Sequence, residues 1–236
     1  MATSPPKHQL FHILTLQKIA FQVASRDPNS SFEIFGTPDL DGCNLGRLPS
    51  RIVVHGSLHI RTASISKMPD HLVVQKSLYA SRCLTASLPE RTDIGGDVWL
   101  DRSHITSLPH AFKVRGDLNL LDSRIAALPE NLDVSGELNL YGTAVRRFPS
   151  IMHVGKRIFP SPELQDIQDL MANQEEAVVF SHAGSAHQKL AQADRLRGFP
   201  DLLRVVQNMP IDNAFHIWRM PDGRVAVRFA PIQMNA

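Results

Sequence analysis

Prolines stand at positions 49, 69, 89, 109, 129 and 149, twenty residues apart each time, with no insertion or deletion between them. The residue before each is large and apolar: Leu48, Met68, Leu88, Leu108, Leu128 and Phe148. Other columns keep the same period. Ile34, Val54, Val74, Ile94, Val114, Val134 and Val154 form a β-branched column. Two residues further on stand Gly36, Gly56, Lys76, Gly96, Gly116, Gly136 and Lys156. Leu58, Leu78, Val98, Leu118 and Leu138 come next, followed two positions later by Ile60, Ala80, Leu100, Leu120 and Leu140. A column of small residues closes the set: Cys43, Ala63, Cys83, Ser103, Ser123 and Thr143.

A 20-residue unit cannot bury its own apolar side chains, so the units must stack coil on coil. The L-x-L element alternates with period two and reads as a short strand. Successive strands about 4.8 Å apart make one parallel sheet. Glycine just before that strand permits a sharp bend, and proline at the later corner fixes φ and needs no hydrogen-bond partner. The chain is 43% hydrophobic but only 6% aromatic, so the stacked core is expected to be aliphatic.

The unit resembles the bacterial leucine-rich repeat, in the short L-P-containing subtype found in type III secreted effectors. Leu118-Asn119-Leu120 stands for the L-x-L strand of that repeat, Ser123 for its ladder position and Leu128-Pro129 for its L-P corner. The resemblance covers residues 31–160. It implies a leucine-rich-repeat-like β-solenoid: a parallel sheet of 20-residue coils with an N-terminal helical cap and a small α+β C-terminal region. It also implies a protein-binding role, a bacterial source, and a cytoplasmic location or secretion into a host cell. Some effectors of this kind carry a catalytic Cys after the repeats. Residues 161–236 contain no Cys, so that activity does not carry over.

Three regions follow: a helical cap in residues 1–30, the repeats in 31–160, and a C-terminal cap or accessory α+β domain in 161–236. A terminal coil exposes its core edge and needs a cap, so one helix is expected over 7–25. The stretch from Leu10 to Val23 is interrupted by His12, Gln17 and Lys18 and reads as an amphipathic helix, not as a signal peptide. Beyond the repeats, helices are expected from Pro162 to Met171, over 185–197 and over 201–209. Phe215 to Trp218 and Arg224 to Phe229 flank Pro221-Asp222-Gly223 as a β-hairpin.

The formal net charge is +2, and no segment is basic enough for a nucleic-acid groove. No apolar run approaches the roughly 18 residues that span a bilayer. Cys43 and Cys83 share a column two coils apart, too far for a disulfide, and read as free thiols. No P-loop, G-x-G-x-x-G, H-E-x-x-H or C-x-x-C is present, so neither a cofactor nor a metal is expected. Caps at both ends oppose end-to-end stacking, and a monomer is expected.

The outward residues of the strand element form one surface. The chain holds two Trp and two Tyr, and Tyr79, Trp99 and Tyr141 fall on it. His59, Tyr79 and Trp99 stand in successive coils beside Asp97, Asp101 and Asp117, with Asn119 and Asn139 continuing the column. Tyr and Trp concentrate binding energy because they bury much area at low entropic cost. These nine residues are the candidate partner-binding face. The alternative is a small enzyme whose repeats recruit a protein substrate to residues 161–236, where Ser181, His182, His187 and Asp194 are the loosest catalytic candidates. One coil departs from the pattern: residues 71–90 place Lys76 at the glycine column, Ala80 at a leucine column and Thr85 in register with Leu45, Ile65, Ile105, Ile125 and Val145. Either the departure is tolerated in the core or it kinks the face beside Tyr79.

Overall fold

The computed structural model describes residues 7–23, 31–85, 87–149, 151–164, 167–168, 176–180, 213–222 and 224–231. The repeats form a β-solenoid of 20-residue coils with two long sheets. One sheet runs in parallel through Ser31–Phe35, Arg51–Val54, His71–Val74, Arg91–Ile94, Lys113–Val114, Leu132–Val134 and Met152–Val154. The other runs through Leu58–His59, Leu78–Tyr79, Val98–Trp99, Leu118–Asn119, Leu138–Asn139 and Arg157–Phe159. Asn44–Arg47 and Ser64–Lys67 add a short third side.

The expected parallel sheet of L-x-L strands is present, and a long sheet that was not expected, built on the β-branched column, lies beside it. The β-branched column is itself a strand, because Ile52-Val53-Val54 and Leu72-Val73-Val74 alternate buried, half-buried, buried, which is the strand period. Register follows the repeat without slippage: Leu58 pairs with Leu78, Leu78 with Val98, Val98 with Leu118, Leu118 with Leu138 and Leu138 with Ile158. The inward residues of both sheets meet as one aliphatic core, with Val54, Leu78, Leu100, Leu118 and Leu140 fully buried. A one-residue slip would turn that set to solvent, so the pattern enforces the stacking.

The departing coil is regular. His71–Val74 and Leu78–Tyr79 pair in register with the coils on both sides, and Ala80 and Thr85 are buried. The kink beside Tyr79 is thereby removed.

Each coil leaves the second long sheet through a left-handed residue: Gly42, Thr62, Arg82, Arg102, Asp122 and Gly142 all have φ between 53° and 72°. Only two of these are glycine, so the turn is imposed by stacking and not by local preference.

The N-terminal helix spans Lys7–Leu16 and is shorter than the expected 7–25. It ends in a Schellman cap. Lys18 adopts φ 54°, its N–H donates to the Thr15 carbonyl at 3.1 Å, and the Ile19 N–H donates to the Leu14 carbonyl at 2.9 Å. The alternating Ile19, Phe21 and Val23 then favour a strand, and Ala20–Val23 pairs antiparallel with Ser31–Phe35. Leu10 and Leu14 plug the open core, and Phe11, Phe21 and Phe32 pack with centroids 5.2 to 5.6 Å apart. The Gln17 side chain bonds both backbone groups of Asp39, acting as a one-residue strand on the first coil's edge.

At the far end Arg157–Phe159 pairs antiparallel with Val225–Pro231, which forms a hairpin with Asn213–Arg219, and Glu176–Phe180 adds the last strand. The expected hairpin is present and extends the second long sheet. Of the expected helix from Pro162, residues 167 and 168 are helical and its remainder lies largely outside the described residues. The helices expected over 185–197 and 201–209 fall wholly outside them.

Candidate functional site

The outward side of the second long sheet carries three columns, set by the alternation of each strand. The first is Thr37, Ser57, Ser77, Asp97, Asp117, Glu137 and Arg157, and it forms a hydrogen-bonded ladder. Thr37 Oγ1 accepts from the Ser57 N–H and Ser57 Oγ from the Ser77 N–H, both at 3.3 Å. Ser77 Oγ accepts from the Asp97 N–H at 3.1 Å. Asp97 Oδ1 accepts from the Asp117 N–H at 2.9 Å, and Asp117 Oδ1 from the Glu137 N–H at 2.8 Å. Glu137 Oε1 accepts from Arg157 Nε at 2.8 Å and Nη2 at 2.5 Å. Every member from Thr37 to Glu137 thus ties its coil to the next.

This ladder explains two glycines of the column, Gly116 and Gly136. A Cβ added at Gly116 would lie 2.1 Å from Asp97 Oδ1 and 2.8 Å from the Asp97 backbone nitrogen, and one at Gly136 would lie 2.0 Å from Asp117 Oδ1. Aspartate in one coil occupies the space that a side chain in the next would need. Where the preceding ladder residue is Ser57 or Glu137, the column accepts Lys76 and Lys156. The glycines serve close approach between coils as well as the bend.

The second column is Asp39, His59, Tyr79, Trp99, Asn119, Asn139 and Phe159. His59 and Tyr79 pack with ring centroids 4.5 Å apart and planes 30° apart. The third column, two residues further along each coil, is Asp41, Arg61, Ser81, Asp101, Leu121 and Tyr141, and Arg61 lies over Tyr79 with its guanidinium carbon 5.4 Å from the ring centroid. Its Nη2–H donates to His59 Nδ1 at 2.8 Å, so the ring proton of this tautomer sits on Nε2. Arg61 Nε pairs with Asp41 Oδ2 at 3.3 Å, and Asp41 Oδ1 accepts from the Arg61 N–H at 2.6 Å. The structure thus brings His59 and Tyr79 together and adds Arg61 and Asp41, which sequence reasoning did not select. The signal was present: both belong to the third column, Arg61 following His59 along its coil and Asp41 following Asp39 in the coil before.

Trp99 is half-buried and in register with Tyr79 and Asn119. Asn119 Oδ1 accepts from the Leu121 N–H and Asn139 Oδ1 from the Tyr141 N–H, both at 3.1 Å, so these amides shape the turn with one end and face outward with the other. Asp101 Oδ1 accepts from the Ser81 hydroxyl at 2.5 Å. Tyr141 is 40% exposed and stands two coils from Trp99. Phe159 ends the column, with Arg157 and Arg224 each 5.5 Å from its ring centroid. Arg224 comes from the C-terminal hairpin, a contact that the repeat could not announce. It also holds the Asp222 carboxyl below the usual carboxylate range through its hydrogen bonds.

Cys43 and Cys83 are free. Burial pushes the Cys83 thiol up, and burial together with Asp39 and Asp41 does the same for Cys43. Among the described residues no three His, Cys, Asp or Glu side chains converge as metal ligands, and no helix is long and apolar enough to cross a membrane. Ser181, His182, His187 and Asp194 lie outside the described residues. Comparison of the chain with protein-family models, curated proteins and solved structures finds no match.

Proposed function

We propose that this chain is a protein-interaction module whose partner docks on the outward face of the second long sheet, across His59, Tyr79, Trp99, Asp97, Asp101, Asp117, Asn119, Asn139 and Tyr141. The observation that carries the reading is Trp99, a large aromatic half-buried at the middle of a stiff, stacked surface. It is flanked by side chains whose backbone hydrogen bonds already fix them. A pre-organised aromatic anchor loses little entropy on binding and suits an interface hot spot. A solenoid presents such a face as one extended surface, because each coil repeats the geometry of the last.

The resemblance to repeats of type III secreted effectors extends the reading to a bacterial protein that meets its partner inside a host cell. A reporter fused to the N-terminal segment tests this, with type III-dependent transfer into host cells as the expected result. The docking reading is tested by Trp99→Ala, which abolishes partner capture while the melting temperature stays within a few degrees. Capture unchanged by the substitution sinks it.

A further inference from the structure

Resting on that docking reading, we propose that Trp99 is a platform for an arginine side chain of the partner, clamped by Asp97, Asp101 and Asp117. The face shows the recognition chemistry three times within the chain itself. Arg61 lies over Tyr79 and pairs with Asp41. Arg157 lies over Phe159 and pairs with Glu137, and Arg224 lies over the same ring and pairs with Asp222. Each guanidinium is held by an aromatic face and a carboxylate together, which suits its planar, weakly hydrated form.

Trp99 offers the strongest π-face of the three aromatic types, yet among the described residues no cation lies over it. Asp97, Asp101 and Asp117 likewise have no cationic partner among the described residues, whereas Asp41 and Glu137 on the same face do. The third-column residue that precedes Trp99 explains the difference. Arg61 stands one coil before Tyr79 and covers it, whereas Ser81, one coil before Trp99, is too short to do so. Ser81 instead donates to Asp101 Oδ1 at 2.5 Å, leaving Oδ2 for a further donor, and Asp97 uses only Oδ1 in the ladder. The outward columns carry six carboxylates against two arginines on a chain of net charge +2, so their field favours a cationic partner.

The test uses the full chain carrying Trp218→Phe, so that Trp99 is the sole indole reporter. The probe is a capped octapeptide alternating arginine and glycine. A saturable change in Trp99 fluorescence is expected with this peptide and none with its citrulline counterpart. Binding of the lysine version is expected to be about two- to fivefold weaker. Asp101→Asn weakens the arginine peptide by a similar factor at unchanged melting temperature. No saturable response, or an equal response to the citrulline or lysine peptide, overturns the proposal. A partner that needs Trp99 but binds equally after its contact arginines are replaced also overturns it while leaving the docking face intact. A partner indifferent to Trp99→Ala removes the face itself.

Discussion

Gly116 and Asp97 occupy one space: the Asp97 carboxylate that accepts the Asp117 N–H sits where a Cβ at position 116 would lie, 2.1 Å away. Gly116→Ala therefore costs about 1–3 kcal/mol by overpacking, and part of that cost depends on Asp97. In an Asp97→Ser background, which copies the Ser57 and Lys76 arrangement, the cost falls. A double-mutant cycle by chemical denaturation is expected to give a coupling of about 1 kcal/mol. Additive costs would show that the carboxylate and the glycine are independent.

Ser123 has the one buried side-chain hydroxyl without a partner among the described residues. Its column neighbours Ser103 and Thr143 donate to the Leu100 and Leu140 carbonyls at 2.6 and 2.7 Å. A buried, unsatisfied polar group costs about 1–3 kcal/mol, and Ala63 shows that the column accepts alanine. Ser123→Ala is expected to raise stability by up to about 1 kcal/mol, whereas Ser103→Ala lowers it by a similar amount. Equal effects in a thermal melt would contradict the assignment.

The Cys83 thiol is fully buried and its ionisation is pushed upward by burial. At neutral pH the folded and unfolded chains both keep the proton, and the contribution is fully present. Above about pH 8.5 the unfolded thiol ionises while the folded one does not, so stability is lost as pH rises. Denaturation between pH 7.5 and 9.5 should show a downward slope that becomes shallower in Cys83→Ala. An unchanged slope would place the titration elsewhere, with Cys43 the next residue to replace.

Much of the solenoid was legible because a 20-residue period puts like on like: inward residues, L-P corners and register all follow from it. The sheet built on the β-branched column was harder to see, since Ile52-Val53-Val54 reads as a patch of apolar residues unless its alternation is weighed. The left-handed turn at Thr62, Arg82 and Arg102 has no sequence signature, because stacking overrides the preference of those residue types. The aromatic face was legible as a column of residue types. The division of labour on it was not, since an exposed-looking Asp97 gives no sign that one oxygen serves the backbone of the next coil. Arg224 reaches the face only through an antiparallel hairpin that lies outside the repeat.

Tyr79 is a mixed probe of function, because its ring packs on His59 and beneath Arg61. Tyr79→Ala is expected to cost about 0.5–1.5 kcal/mol of folding stability for the lost ring pair, read as a drop of a few degrees in melting temperature. Trp99→Ala lacks that penalty. If Trp99→Ala proved the more destabilising of the two, the indole would be a packing element and not a free anchor.

The most direct measurement is the affinity of a captured partner for the full chain, for Trp99→Ala and for Lys113→Ala, a control on the opposite sheet. Loss of a central anchor is expected to weaken binding at least about 30-fold, with the control unchanged and all three chains melting together. Equal binding by Trp99→Ala, or a loss matched by Lys113→Ala, would contradict the docking face.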